Sequence, residues 1–522
     1  MIKSVIVLLL GTGILRAQVD VLTANYSNSR SSANLAESLL SPATVSPETF
    51  GKLASFPIAG QLYAQPLVVT GLPIAACGTC DVVFVATMQN NVYAFNATTL
   101  DPTPLWIAKL GPPVASSLLR FEGAVTGSVG VLGTPVIDRG RGLIYLLAER
   151  MRSGKPAFEL HALDLATGNE QLNGPVDVTA TVDGSGDANV NGRITLDPLR
   201  HIQRPGLLAA NSRIYIAFGS IYDRKPYHGW VLAYDIDTLQ QTAVFNATPN
   251  GGLGGIWQSG RGLAADSSGN IFLGTGNGDY DGLTNFGETF LRMGSDLQVV
   301  DWFTPSDWQG LSDVDLDTAS LGPMLIPSID MILGGDKAGN GYLIDQSNMG
   351  HLGLTGASVA QTFQPVEYGG LFNAAVWDRS DGPLVYFVDE GISTSGFRIT
   401  NRQVEASPFS ITEVTSDYPW QGMAISAWGE TDGSGILWLT VGDHDQAEAP
   451  GTLIAFNAQD LTQVLWTSDA SDRDSLGLFA KFTTPTVANG LVFVPTASGQ
   501  LVVYGLLDPV TPRVRSIRSP LH

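Results

Sequence analysis

Short apolar runs, each closed by a Gly, Asn or Asp turn, recur from Ala64 to the last part of the chain. The stretch Thr484 to Gly505 (TPTVANGLVFVPTASGQLVVYG) shows the unit most clearly: a Pro leads into an apolar segment, and two further strands follow across Gly turns. Such spacing predicts three short antiparallel strands joined by tight turns. The same grammar returns in QPLVVTG…DVVFVATMQNNVYAFNA, in GTPVIDRGRGLIYLLAER…ELHALDLATG and in RPGLLAANSRIYIAFGS…GWVLAYDIDT. One such unit cannot bury its apolar face alone, so repetition every roughly 40 to 60 residues predicts stacked blades.

About eight units can be placed, starting near Ala64, Thr134, Arg204, Gly260, Pro323, Asn373, Gly422 and Thr484. Outer fourth strands are expected at Leu105 to Leu110, Ala243 to Ala247, Val299 to Thr304 and Gln463 to Thr467. The eighth unit lacks one, and a lone strand at Phe50 to Ile58 can supply it. That exchange joins the two ends of a ring and leaves no open sheet edge. The expected fold is therefore an all-β, eight-bladed propeller over residues 50–507, with seven blades as the alternative.

Residues 1–17 read as a secretory signal peptide, with Lys3, an apolar run and cleavage near Ala17. A periplasmic or extracellular protein is the expectation. The polar segment 18–49 is expected to wrap the outside of the domain, and residues 508–522 to form a loose tail. No later stretch reads as a transmembrane helix.

The net charge of −21, from 28 Lys and Arg against 49 Asp and Glu, argues against a nucleic-acid partner, which needs a basic surface. Cys77 and Cys80, the only cysteines, are expected to form a small disulfide that pins one hairpin loop. The histidines show no zinc or triad spacing, and no C-x-x-C-H haem motif occurs.

In a propeller, residues at the entry to each first strand, and in the turns after each second strand, line one mouth of the axial channel. Polar and aromatic residues gather there, among them Arg204, Trp257, Arg261, Asn277, Lys337 and Trp420. A funnel of this kind is the default ligand site. The plainer reading is that these groups plug the channel and satisfy one another's hydrogen bonds.

The segment Gly254-Gly255-Ile256-Trp257, followed by Gly274-Thr275-Gly276-Asn277, resembles the pyrroloquinoline quinone (PQQ)-dependent alcohol dehydrogenases. Ser220-Ile221-Tyr222-Asp223, ahead of Gly229-Trp230-Val231-Leu232-Ala233-Tyr234-Asp235, and the run from Lys337 to Asp345 extend the likeness. The resemblance implies that Trp257 is the floor on which the quinone stacks and that Lys337 donates to its oxygens. Ser220 and Arg261 are further expected cofactor contacts. Asp223 and Asn277 would be Ca²⁺ ligands, together with Asp315, which would also be the catalytic base.

Two departures stand out. Gln309 occupies the place where Thr304-Pro305-Ser306-Asp307-Trp308 would lead to the family's acid, and its adjacent Cys-Cys pair is absent. Three function classes follow. The first is an exported quinoprotein oxidoreductase acting on an alcohol or sugar and passing electrons to a separate acceptor. The second is a non-catalytic propeller that binds a protein or glycan partner at its funnel. A propeller hydrolase or lyase is the third; it would want a His or paired carboxylates converging on the axis, where the sequence offers only Asp223 and Asp315.

Overall fold

The apolar runs become eight sheets, each built on four antiparallel strands and some carrying an extra short one, arranged as blades of one propeller. The computed structural model describes residues 19–507, except 123, 354–360, 367–368, 389–392, 414–419 and 443–448. The expected signal peptide (1–17) and tail (508–522) lie outside the described residues. The first blade runs outward from the axis through Leu67–Ile74, Gly78–Ala86, Asn91–Asn96 and Trp106–Lys109. The inner strands of the next six blades are Val136–Asp138, Leu208–Ala210, Ala264–Ala265, Leu321–Ile326, Ala374–Trp377 and Gly422–Ser426. Thr486–Ala488 opens the eighth, whose outer strand is Phe50–Pro57, paired antiparallel with Gln500–Leu506. The ring closes as expected, and blades five and six, whose turn signals are weak, are complete sheets.

Both faces of each sheet are covered by neighbouring blades, so many strands read as unbroken apolar runs rather than as an apolar and polar alternation. In the third blade, Trp230, Leu232 and Tyr234 pack against the second blade, while Val231 and Ala233 pack against the fourth. Trp106, on an outer strand, donates its indole N–H to the Leu165 carbonyl of the second blade at 3.0 Å. Gly168 has φ +70°, and a Cβ there would lie 2.5 Å from the Trp106 ring, so this lock between blades requires glycine. Cys77 and Cys80 are bonded to each other at the hairpin of the first blade. Among the described residues, no helix is long and apolar enough to cross a membrane.

Residues 19–34 of the polar segment do not wrap the outside. They cross the axis and touch the inner strand of every blade. Val21 pairs with Val68, the Leu22 carbonyl accepts from Ile137 N–H, and Asn28 Nδ2 donates to the Ala209 carbonyl. The carbonyls of Asn28, Ser29, Ser31 and Ser32 accept from Ala265, Leu325, Val376 and Ile425. Ala33–Asn34 then pairs in parallel with the seventh blade, and Asn34 Nδ2 donates to Val487 of the eighth.

The physical reason is the row of unpaired N–H and C=O groups that each inner strand turns toward the axis. The backbone of the axial segment satisfies most of them, and the Asn28 and Asn34 side chains reach two more. Arg30 is fully buried at the centre, donating to the carbonyls of Leu263, Ala24 and Leu207 and to Thr23 Oγ1.

Replacing Arg30 with Met keeps the volume but strands those carbonyls. A buried acceptor without a partner costs about 1 to 3 kcal/mol. Arg30→Met should therefore lower the urea midpoint by the equivalent of at least about 3 kcal/mol. An unchanged midpoint would mean that the axial segment does not hold the blades together.

Candidate functional site

The loops above the third, fourth and fifth blades converge on one buried carboxylate, Asp317, which is 4% exposed. Asn277 N–H donates to Asp317 Oδ1 at 2.8 Å. Trp257 Nε1 donates to Oδ2 at 3.1 Å, and Lys337 Nζ lies 2.6 Å from the same oxygen. The close approach depends on Gly276, where a Cβ would come within 2.1 Å of Asp317 Oδ1. The Gly-Thr-Gly-Asn turn is thus shaped around a carboxylate.

Asp315 lies two residues away and 60% exposed, accepting from Asn277 Nδ2 at 2.6 Å and from Lys337 Nζ at 2.9 Å. Asp223 is held by Ser220 Oγ and Tyr227 OH, both donating to its Oδ1 at 2.7 Å. Ser220 therefore orients Asp223 in this arrangement. Asp223, Asp315 and Phe482 all have left-handed backbones, with φ of 47°, 63° and 63°.

Burial raises the Asp317 carboxyl above its ordinary range; Lys337 opposes this, and the nearby charge of Asp223 reinforces it. Glu288, beneath, is pushed up to about 8, first by burial and then by the Asp317 charge. Its Oε2 accepts from Thr318 N–H at 2.5 Å, and its Oε1 has no partner. Burial works against the Lys337 ammonium, but attraction to Asp317 and Asp315 outweighs it and holds the group above its ordinary range. The Asn277 Oδ1 atom is buried and lacks a hydrogen-bond partner.

Four of the residues expected from the sequence, Trp257, Asn277, Lys337 and Asp315, are brought into direct contact. Asp223 joins them electrostatically. Arg261 does not: it is 2% exposed and points down the axis, donating to the carbonyls of Arg30 and Ala374 and to Ser32 Oγ. It fastens the axial segment. The acid at the centre is Asp317 rather than Asp315, because the loop from Asp313 turns its last Asp inward. Both residues sit in one D-x-D-x-D run, and spacing alone does not tell them apart. Glu288 also carries no spacing signal.

Among the described residues, no three His, Cys, Asp or Glu side chains close around a point as metal ligands do. Asn277 Oδ1 adds an amide oxygen of the kind a hard cation takes alongside carboxylates. An orphaned carbonyl oxygen beside carboxylates that outnumber their lysine fits such an ion.

The axial side of Trp257 is a ring of aromatic groups. Phe482 lies 6.0 Å from Trp257, 6.0 Å from Phe372 and 5.8 Å from Trp420, between ring centres. Two cations face the same rings. The Arg204 guanidinium is 5.1 Å from Phe482 and 5.8 Å from Tyr63, and Lys481 Nζ is 4.5 Å from Trp420. Neither has an acidic partner among the described residues. Burial pushes Arg204 down to about 10, and burial with the Arg204 charge pushes Lys481 down to about 8. A cation over an aromatic ring gains about 0.5 to 2 kcal/mol. Removing an ion from water costs several. The rings alone therefore leave this pair short of compensation.

No family model matches the chain, and no curated protein matches it in sequence. Among solved structures it is similar to the quinohemoprotein alcohol dehydrogenase from Comamonas testosteroni, at 14% identity and a TM-score of 0.58, over 96% of this chain and 83% of that one. The C-terminal WD40 domain of Sif2 (8% identity, TM-score 0.49) and Sqt1 from Saccharomyces cerevisiae (10%, 0.48) also match, each over 88% of this chain and 99% of its own. At these identities the first likeness establishes the propeller fold.

The Glu288 carboxyl makes the site measurable by pH. An unfolded Glu ionises near 4.5, whereas the folded one keeps its proton to about 8. Between those values the folded state binds more protons, so stability falls as pH rises. Glu288→Gln, which mimics the protonated form, should match the wild type near pH 5. Near pH 9 it should be more stable, by on the order of a few kcal/mol in urea titrations. Parallel pH profiles for the two proteins would contradict the assignment.

Proposed function

We propose that this propeller is an oxidoreductase of quinoprotein type, which oxidises an alcohol or sugar hydroxyl with PQQ and Ca²⁺ held at its axial mouth. The supporting observation is that Trp257, Asn277 and Lys337 meet in their expected order on one buried carboxylate, with Asp223 close by. Phe372 and Phe482 flank the Trp257 indole, an apolar surround suited to a planar ring.

When bound, the quinone supplies a hydride acceptor and Ca²⁺ a Lewis acid. Trp257 would hold the planar ring by its indole face. Asn277 Oδ1, Asp223 and Asp315 would hold the cation. Asp317 would take the proton of the substrate hydroxyl, and the burial that holds its carboxyl above the ordinary range makes its carboxylate a stronger base than an exposed one. Activity would then fall as pH drops and Asp317 becomes protonated. Lys337, hydrogen-bonded to both Asp315 and Asp317, would keep the base ionised and oriented. Electrons would leave to a separate acceptor, and export would place the reaction in the periplasm or outside the cell.

A second reading, a non-catalytic propeller that docks a protein or glycan at its mouth, draws support from Lys337, whose Nζ stands 5.4 Å from the Trp257 ring centre. That ammonium lies against the ring on which a quinone would stack.

Titrating the mature protein with PQQ and Ca²⁺, by tryptophan quenching and dye-linked alcohol oxidation, separates the two. The quinoprotein reading expects saturable binding that Trp257→Ala weakens at least about tenfold. Asp317→Asn should bind but lose about a hundredfold or more in turnover, with Asp315→Asn much milder. Wild-type protein that fails to saturate at high micromolar PQQ would leave the docking reading standing.

A further inference from the structure

The quinoprotein reading uses Trp257, Asp317 and Lys337 but leaves Arg204 and Lys481 without a task. They enter the mouth from the third and the eighth blade, ahead of the inner strands Leu208–Ala210 and Thr486–Ala488. Both are partly buried and face aromatic rings, and neither has a carboxylate partner among the described residues. Arg204 makes one hydrogen bond, from NH2 to the Lys481 carbonyl at 3.3 Å, which ties the two cations to one locus. In a chain with a net charge of −21, two adjacent half-buried cations without counter-ions among the described residues mark a place kept for an anion.

The surroundings narrow the anion. Phe482 stands between this pair and the Asp317 cluster, 5.1 Å from the Arg204 guanidinium and 6.0 Å from Trp257. A ligand spanning the two would carry an anionic group at one end, an apolar face over Phe482 and a hydroxyl at the other. We infer that the mouth takes a sugar acid, its carboxylate seated between Arg204 and Lys481 and its carbinol directed to Asp317. A guanidinium offers paired donors that match a carboxylate, and the lysine adds a point charge. The inference takes its reaction from the oxidoreductase reading; the binding needs neither quinone nor metal.

Calorimetric titration of the mature protein with D-glucuronate, D-glucose and inorganic phosphate, in the absence of PQQ and Ca²⁺, tests it. Glucuronate should bind saturably and glucose at least tenfold more weakly. Lys481→Gln and Arg204→Gln should each weaken glucuronate tenfold or more, about 1.4 kcal/mol. Should Arg204→Gln not fold, Lys481→Gln decides, with its melting temperature as the control.

Equal affinity for glucose, or unaltered affinity in Lys481→Gln, would overturn the inference. Phosphate binding as tight as glucuronate would overturn it too, by making this a site for simple anions. Glucuronate binding without dye-linked turnover in added PQQ and Ca²⁺ would refute the oxidoreductase reading and support the anion site. Quinone-dependent turnover of a neutral alcohol without glucuronate binding would do the reverse.

Discussion

Eight inner strands converging on one axis create a problem that stacking blades cannot solve. Each turns an unpaired backbone edge toward the centre, where donors and acceptors buried away from water must find other partners. The residues from Val21 to Asn34 resolve it by accepting from, or donating to, every blade in turn. Arg30 closes the arrangement at the centre with hydrogen bonds to the carbonyls of Leu207 and Leu263, just ahead of two inner strands, and of Ala24 within the segment, a set that a planar group with five donors can make. The segment bends around the axis through left-handed backbones at Asn25, Tyr26, Arg30 and Ser32. None is a glycine, so each costs on the order of 1 kcal/mol that the surrounding hydrogen bonds must offset.

The axial segment also explains how the opposite mouth is built. Arg261 reaches down from the loop that carries Trp257 and hydrogen-bonds to the Arg30 carbonyl and Ser32. Gln258, one residue beyond Trp257, accepts from Gly274 N–H at 2.8 Å and donates to the Arg261 carbonyl at 3.0 Å. The indole is therefore the exposed end of a chain of buried polar contacts that begins in the plug. Such a base can hold Asp223, Asp315 and Phe482 in left-handed conformations above it, the kind of strain that collects where side chains are aimed at a ligand.

The blade pattern was legible because both faces of each sheet are buried and the turns are punctuated by Gly and Asn; the expected unit starts fall at the observed inner strands. Ring closure by Phe50–Pro57 was legible as well, since an eighth unit without an outer strand needs a donor. The axial segment was not. Its Ser, Asn and Arg residues have the composition of a solvated wrap, and nothing local reveals that the partners replacing water are backbone edges from eight blades. The site divides the same way. Trp257, Asn277 and Lys337 sit in spaced motifs, whereas choosing Asp317 over Asp315 depends on which way a loop turns, and Phe482 and Lys481 reach the axis from the far side of the ring.

What remains is why so much unspent charge stands at one mouth. Asp315 and Asp317 share Lys337, with the charge of Asp223 close by, while a few rings away Arg204 and Lys481 have no acidic partner among the described residues. Had the chain been selected only to plug its channel, moving one acid toward Arg204 would have neutralised both imbalances. Phe482, with the rings packed around it, instead stands between the two sets and keeps them apart. Separation of unlike charges across an apolar divider costs free energy in the empty protein. A ligand with a carboxylate for the cations at one end and a hydroxyl for the acids at the other recovers part of it.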